Sequence, residues 1–399
     1  MMYKSLALFF MFVSYVAGDD HVHPKDPTLE EVVKANWKIG LDMYKQISKE
    51  SPQKSIFFSP YSMTSVLLSL HLGAKGSTAS VIESELGLTT ITDAHSVAQA
   101  KLYQMVLEHK GQYDLVVAKR YYADNSIDLL KPYTDKVEKF FQVKIEKLDF
   151  SNTATSAATI NKFVSEVTKG KIPNLVPAGL LKSTTKFLAA SAITFKGKWN
   201  NKFDSVTQGQ FKTLTGAAKP QTYMEKTGVF KIGHDASLAA KILELPYLTD
   251  HHSAYIVLPD SPTGLTAFEE THLENTVALK TLLASLKPTN AKISIPKFHT
   301  TSHYELSSEF KTGGLGDLFT PGTADFSGID ATAVADKLAL DYYIQEARLT
   351  FDENGGNTPS KDTPINLGAS ETFKADHSFL YAIICKKTNA PFFIGRFNG

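Results

Sequence analysis

A single cysteine, Cys385, serves the whole chain of 399 residues. No intrachain disulfide can form, and thiolate zinc frameworks and Cys-x-x-Cys redox motifs are excluded. Cys385 ends the apolar, strand-like run Tyr381-Ala382-Ile383-Ile384-Cys385 and reads as a buried small hydrophobe. Asn-x-Ser/Thr acceptors are absent too, so stability must rest on core packing without sugars or crosslinks. Charge of one sign is lacking: 42 Lys and Arg meet 41 Asp and Glu. That balance argues against a nucleic-acid or polyanion partner drawn by net field. There is no Gly-x-Ser-x-Gly elbow, no Walker loop and no His-Glu-x-x-His. No catalytic residue and no cofactor are therefore expected, and the chain does not read as an enzyme. Past the N-terminus no apolar run approaches the roughly 20 residues that cross a bilayer, so no membrane partner is expected.

At the N-terminus stands a different signal. Lys4 precedes the apolar run Leu6 to Ala17, and Val16 and Gly18 are small. Residues 1–18 read as a secretion signal, with Asp19 the new N-terminus and an extracellular destination. Cleavage there would expose Asp19, Asp20 and His21, whose amine, amides and imidazole suit Cu(II) or Ni(II); a disordered tail is the simpler reading. His251-His252, beside Asp250, reads as a hairpin tip rather than a metal site, and no other metal ligands are expected.

Residues 19–399 show no repeat and no linker, and read as one domain. Leu29, Val32, Val33, Trp37, Leu41 and Tyr44 fall at helical spacing over 28–49. Ser59-Pro60 fits a helix cap with proline in the first turn. Helices are predicted over 78–86, 94–108, 132–141 and 155–168, with a further interval near 266–286. Strands are predicted over 115–122 and 187–195, and short β-rich runs dominate from Phe211 onward. Helices first and strands later indicate an α+β domain.

Near the C-terminus the strand Leu349-Thr350-Phe351 runs into a long polar segment containing Pro359 and Pro364, before apolar sequence resumes at Phe373. Loops of that length in compact domains are usually functional. Five motifs in order carry a resemblance: Phe57-Phe58-Ser59-Pro60-Tyr61-Ser62, Leu72-Gly73-Ala74-Lys75-Gly76-Ser77-Thr78, Phe195-Lys196-Gly197-Lys198-Trp199, Phe373 to Phe379 with Ser378 where proline is usual, and Phe393-Ile394-Gly395-Arg396. Together the chain resembles the serpins. The resemblance implies three β-sheets surrounded by about nine helices, and an exposed reactive loop over about 354–372.

It also implies a mechanism. A target protease cuts the loop, and the freed loop enters a central sheet as a new strand. The hinge corresponds to Glu353, Gly355, Gly356, Thr358 and Pro359. Gly356 stands where Thr or Ser is usual, and no alanine run follows. Alternate residues Gly356, Thr358, Ser360 and Asp362 would face inward. Burying a lone hydroxyl costs on the order of 1–3 kcal/mol and a lone carboxylate more. Pro359 would delete a ladder hydrogen bond. In the family an Asn and a His help the motif serines tie the strands that must part; here Ser191 and Gln345 stand at those positions beside Ser59 and Ser62. The family's pair at the top of the sheet is retained as Lys297 and Glu353.

The loop is about two residues short, so two anchors give different cleaved bonds. Counting from Phe379 puts Leu367 before it, and counting from Glu353 puts Ala369 there. The reactive-bond candidates are thus Asn366, Leu367, Gly368 and Ala369. Leu367 suits a chymotrypsin- or elastase-like serine protease; papain-like cysteine proteases read mainly the side chain one residue earlier, so Ile365 followed by Asn366, or Leu367 followed by Gly368, suits them. The alternative is a non-inhibitory serpin, a carrier, storage protein or chaperone. Some serpins bind heparin through a basic helix; here His95, Lys101, His109 and Lys110 are sparse and Glu108 dilutes them, so heparin is not expected. A monomer is.

Overall fold

The computed structural model describes residues 26–107, 113–248, 250–273, 281–331, 338–354 and 371–399. Helix α1 spans Pro27–Glu50. Asp26 caps it by accepting the Leu29 N–H at 3.3 Å, and Pro27 opens the first turn. Its apolar face, including Val33, Trp37, Leu41 and Tyr44, is buried. Helix α2, Pro60–His71, begins at the predicted cap: Ser59 Oγ accepts the Ser62 N–H at 3.2 Å. Every residue from Pro60 to Leu70 is buried, so this helix runs through the middle of the core. Helices α3 (Gly76–Leu86), α4 (Asp93–Leu107), α5 (Lys131–Phe141), α6 (Thr153–Val167) and α7 (Leu265–His272) follow.

The strands form two hydrogen-bonded networks among the described residues. The larger runs β1 (Ile56–Phe58), β14 (Pro391–Phe397), β13 (Phe379–Cys385), β8 (His252–Pro259), β7 (Ala240–Pro246), β6 (Ala218–Asp235), β9 (Lys287–Pro296) and β12 (Glu371–Lys374), with β5 (Ser205–Lys212) also on β6. The three sheets implied by the resemblance are joined into these two networks. Strand β6 is long enough to change partners: residues 218–225 pair with β5 and residues 231–235 with β7. Two sheets therefore share one strand and read as one ladder. The third sheet stands apart, in the order β10 (Phe298–Glu305), β11 (Tyr342–Phe351), β4 (Phe187–Gly197), β2 (Tyr113–Asp124) and β3 (Ile145–Leu148).

Two cores flank this five-stranded sheet. The main one lies between it, the larger network and α1–α5. A smaller one seals α6 against the opposite face, with Ile160 and Val164 over Leu188, Ala190, Ala192 and Ile344. Cys385 is buried in β13, as its apolar run predicts. Ser378 uses the freedom that proline would lack: its N–H donates to Lys212 O at 3.2 Å and its Oγ to Asn398 Oδ1 at 2.7 Å. Arg396 is 1% exposed. It pairs with Glu269 at 3.1 Å and donates to the carbonyls of Ser51 and Lys54, both at 2.9 Å. Tyr44 donates to the same Glu269 carboxylate. Of the two histidines read as a hairpin tip, only His251 lies in the turn. His252 begins β8, buried, with Nδ1 3.0 Å from Tyr113 Oη.

Candidate functional site

The central joint of the five-stranded sheet is the parallel pair β4–β11, in register from Tyr342 opposite Leu188 to Thr350 opposite Lys196. Strand alternation sends Tyr343, Gln345, Ala347 and Leu349 toward the main core and Ile344 toward α6. Polar side chains gather on this joint at two levels.

The lower level gathers Ser59, Ser62, Ser191 and Gln345. Gln345 Oε1 accepts the Ser59 backbone N–H at 2.9 Å, and Gln345 Nε2 donates to Tyr343 Oη at 2.8 Å. Ser62 Oγ donates to Ser59 Oγ at 3.2 Å. Burial drives the Tyr343 phenol far above its usual range, so it stays neutral and can accept. Ser191 is buried directly opposite Gln345 in the register. The Gln345 amide thus ties β11 to the start of α2, and its partner Tyr343 lies on its own strand.

The upper level holds the chain where it leaves β11. The Trp199 indole N–H donates to Asp352 O at 2.6 Å, and the Trp199 backbone N–H to Asn354 O at 3.1 Å. Phe203 N–H reaches Glu353 O at 3.3 Å. The indole itself stacks on Tyr247 with ring centroids 4.6 Å apart and packs edge-on to Phe351. Gly197 permits that stack, because a Cβ there would lie 2.2 Å from the Tyr247 ring. Lys196 meets Asp352 at 2.6 Å, and Lys297 meets Glu353 at 2.7 Å. Burial pushes Asp352 up, but bonds from Lys196 and Asn354 outweigh it and leave the carboxyl below its usual range. The Lys297 ammonium likewise holds Glu353 low.

Gly355, Gly356, Thr358, Pro359, Asn366, Leu367, Gly368, Ala369, Asp19, Asp20 and His21 lie outside the described residues. So do Glu108, His109 and Lys110 of the sparse basic helix; of its other bases, His95 Nε2 lies 3.1 Å from Glu31 and Lys101 Nζ 2.9 Å from Asp26. Sequence reasoning missed three contributors. Tyr343 carries no local signal, since any strand residue beside Gln345 would read alike. Lys196 and Trp199 stand in a quoted motif, but nothing there shows that they grip residues 352–354.

The model of the family described as "Serpin (serine protease inhibitor)" matches residues 34–399. Serpin B6 of Pongo abelii is 30% identical over 379 residues, covering 93% of this chain and 100% of the relative. The leukocyte elastase inhibitor of Homo sapiens is 29% identical over 386 residues, with the same coverage. A crystal structure of maspin superposes with a TM-score of 0.86 at 27% identity, over 94% of this chain and 100% of maspin.

Proposed function

Because the chain belongs to the serpin family, we propose that it is a secreted protease inhibitor whose segment after Asn354 serves as bait. The observation that carries this reading is the parallel β4–β11 joint, bridged at its upper end by Trp199 and Lys196, whose contacts a new strand would have to displace. The protease's nucleophile attacks the carbonyl of the bait bond, releases the new amine terminus and is left as an acyl-enzyme. The freed loop then enters between β4 and β11 and carries the enzyme with it. Stored conformational energy, rather than a catalytic group of this chain, drives the event. Leu367-Gly368 is the bond we favour for a chymotrypsin- or elastase-like target, and the bond after Asn366 or after Gly368 for a papain-like one, which reads the apolar side chain one residue earlier. Cleavage after Gly18 and export complete the proposal.

A second reading, a non-inhibitory carrier, storage protein or chaperone, draws support from Pro359 and Asp362 and from the replacement of the family's Asn and His by Ser191 and Gln345. One experiment separates the two. The mature protein is incubated with chymotrypsin, elastase, trypsin and a papain-like enzyme, then resolved on denaturing gels with mass spectrometry of the fragments. A denaturant-resistant complex with one enzyme is the expected result, with a released peptide beginning at Gly368 for a serine protease and at Leu367 or Ala369 for the papain-like enzyme. Clean cleavage by all four with no loss of protease activity overturns the inhibitor reading. Leu367→Arg should shift inhibition toward trypsin; unchanged specificity would mean a different bond.

A further inference from the structure

Two lysines stand free where the proposed bait begins. The turn between β4 and β5 runs directly beside residues 353–354: the Trp199 N–H donates to Asn354 O and the Phe203 N–H to Glu353 O. Lys198 and Lys202 each precede one of these donors, and both are exposed. Among the described residues no carboxylate pairs with either. The acids nearby are already taken: Asp352 by Lys196 at 2.6 Å, Glu353 by Lys297 at 2.7 Å and Asp204 by Lys226 at 2.8 Å. Lys196, Lys198, Lys202, Lys226 and Lys297 thus face only three carboxylates, although 42 basic and 41 acidic residues balance over the whole chain.

The turn that carries them is fixed at several points. Trp199 and Phe203 are buried and meet edge to face, with ring centroids 6.1 Å apart. The Asn200 N–H donates to Pro246 O at 3.0 Å, and Lys198 O accepts the Leu248 N–H at 2.8 Å. Both ammonium groups therefore extend on flexible stems from anchored backbone. The other end of the bait differs. Strand β12 begins at Glu371, which lies 3.9 Å from Lys241. Lys292, the register partner of Thr372, lies 3.0 Å from Glu225. Charges close on one another there, so the positive surplus marks the departure of the bait and not its return.

An enzyme that reads a segment strung between Asn354 and Glu371 must stand over this end of the molecule. We propose that Lys198 and Lys202 form a cationic rim that the docked protease faces, and that the rim selects enzymes with acidic surface beside the cleft. This rests on the reading of the segment after Asn354 as bait. Charge at a rim speeds the encounter with an opposite surface and slows it with a like one. A net charge of +1 gives the chain no long-range pull. At physiological ionic strength a charge is felt over only about 8 Å, so the selection is made by groups beside the bait.

The test uses chymotrypsin and the same enzyme succinylated on its surface amines, which replaces cations by carboxylates. The second-order rate of engagement, read as covalent complex plus cleaved chain, is measured with the full mature protein. Each rate is normalised to that enzyme's turnover of a small neutral substrate. Salt is set at about 0.01 M and about 1 M, where the Debye length is about 30 Å and about 3 Å. At low salt the wild type should engage the succinylated enzyme about tenfold faster than the native one, and at high salt equally fast. In Lys198→Glu/Lys202→Glu the order should reverse, with Lys198→Gln/Lys202→Gln between. Lys182→Glu is the control and should match the wild type. Lys182 is exposed and precedes Phe187, so the 11 residues of β4, about 33 Å, separate it from the rim. A wild-type rate ratio in Lys198→Glu/Lys202→Glu overturns the rim and leaves the bait intact. An equal shift in Lys182→Glu also overturns the rim, since net charge would then be the cause. Neither complex nor cleavage with either enzyme overturns the bait reading, and the rim with it.

Discussion

Gln345 on β11 accepts the backbone N–H of Ser59 at 2.9 Å, across 286 positions of sequence. The bond joins the first residue before α2 to a strand that parts from β4 if the loop inserts. Replacing Gln345 by Leu keeps the volume and leaves the buried Ser59 N–H without its acceptor. Such a loss costs about 1–3 kcal/mol. Gln345→Leu should lower the urea midpoint with the slope unchanged, and should quicken conversion of the uncut protein to an inserted form on warming. An unchanged midpoint would mean that water replaces the amide.

At the other level, Trp199→Phe keeps a ring against Tyr247 and Phe351 but removes the indole donor to Asp352 O. The expected loss is about 1 kcal/mol. Hydrogen exchange should rise at residues 351–354 and 199–203 and stay constant in α2. Exchange rising throughout the sheet would show that the indole holds more than the chain end.

The Arg396–Glu269 pair predicts a larger effect. Arg396→Met strands the Glu269 carboxylate in the core beside Tyr44, and breaking a buried pair from one side costs about 3–5 kcal/mol. Burial already holds Glu269 above its usual range against the pull of Arg396. The double change Arg396→Met/Glu269→Leu should recover much of the loss in a denaturant titration. A double variant no better than the single would place the value of Arg396 in its bonds to the Ser51 and Lys54 carbonyls.

Glu85 gives a pH signature. Burial raises its carboxyl from 4.5 to about 7, against the opposing Lys38 at 3.7 Å. The folded protein therefore keeps a proton that the unfolded chain releases. The raised folded value lends stability that is full below about pH 4.5 and fades as pH climbs through 7. The shift corresponds to about 3 kcal/mol. In Glu85→Gln, stability measured from pH 4 to 8 should decline less steeply across that window. Parallel wild-type and variant curves would show that Glu85 stays charged when folded.

Much of this architecture was legible in the chain. Ser59-Pro60 announced α2, the apolar spacing of Val33, Trp37, Leu41 and Tyr44 announced α1, and the order of five motifs announced the family. The partner change within β6 was not legible, because alternation along a strand reports its two faces and never its neighbours. The Lys297–Glu353 pair was named from the family pattern, and the structure places the two groups 2.7 Å apart. Tyr343 escaped notice because a tyrosine in an apolar strand reads as core alone, and its bond to Gln345, two residues on, shows only once both side chains are seen on the same inward face. The choice between Leu367 and Ala369 falls on residues outside the described ones.

The β4–β11 pairing also differs in direction from the pairings beside it. Its neighbours on either side, β10 with β11 and β2 with β4, are antiparallel; among the described residues the sheet's other parallel contact is the short edge pair β2–β3. Parallel ladders are slightly less stable per residue than antiparallel ones. A strand doubling back from β11 runs antiparallel to both β11 and β4. Its arrival would exchange one inferior joint for two better ones, as a laminate splits along its softest glue line and is repaired with a stronger ply. If the loop inserts, the direction of two strands would thus favour, before any loop is cut, one plane for the sheet to open along.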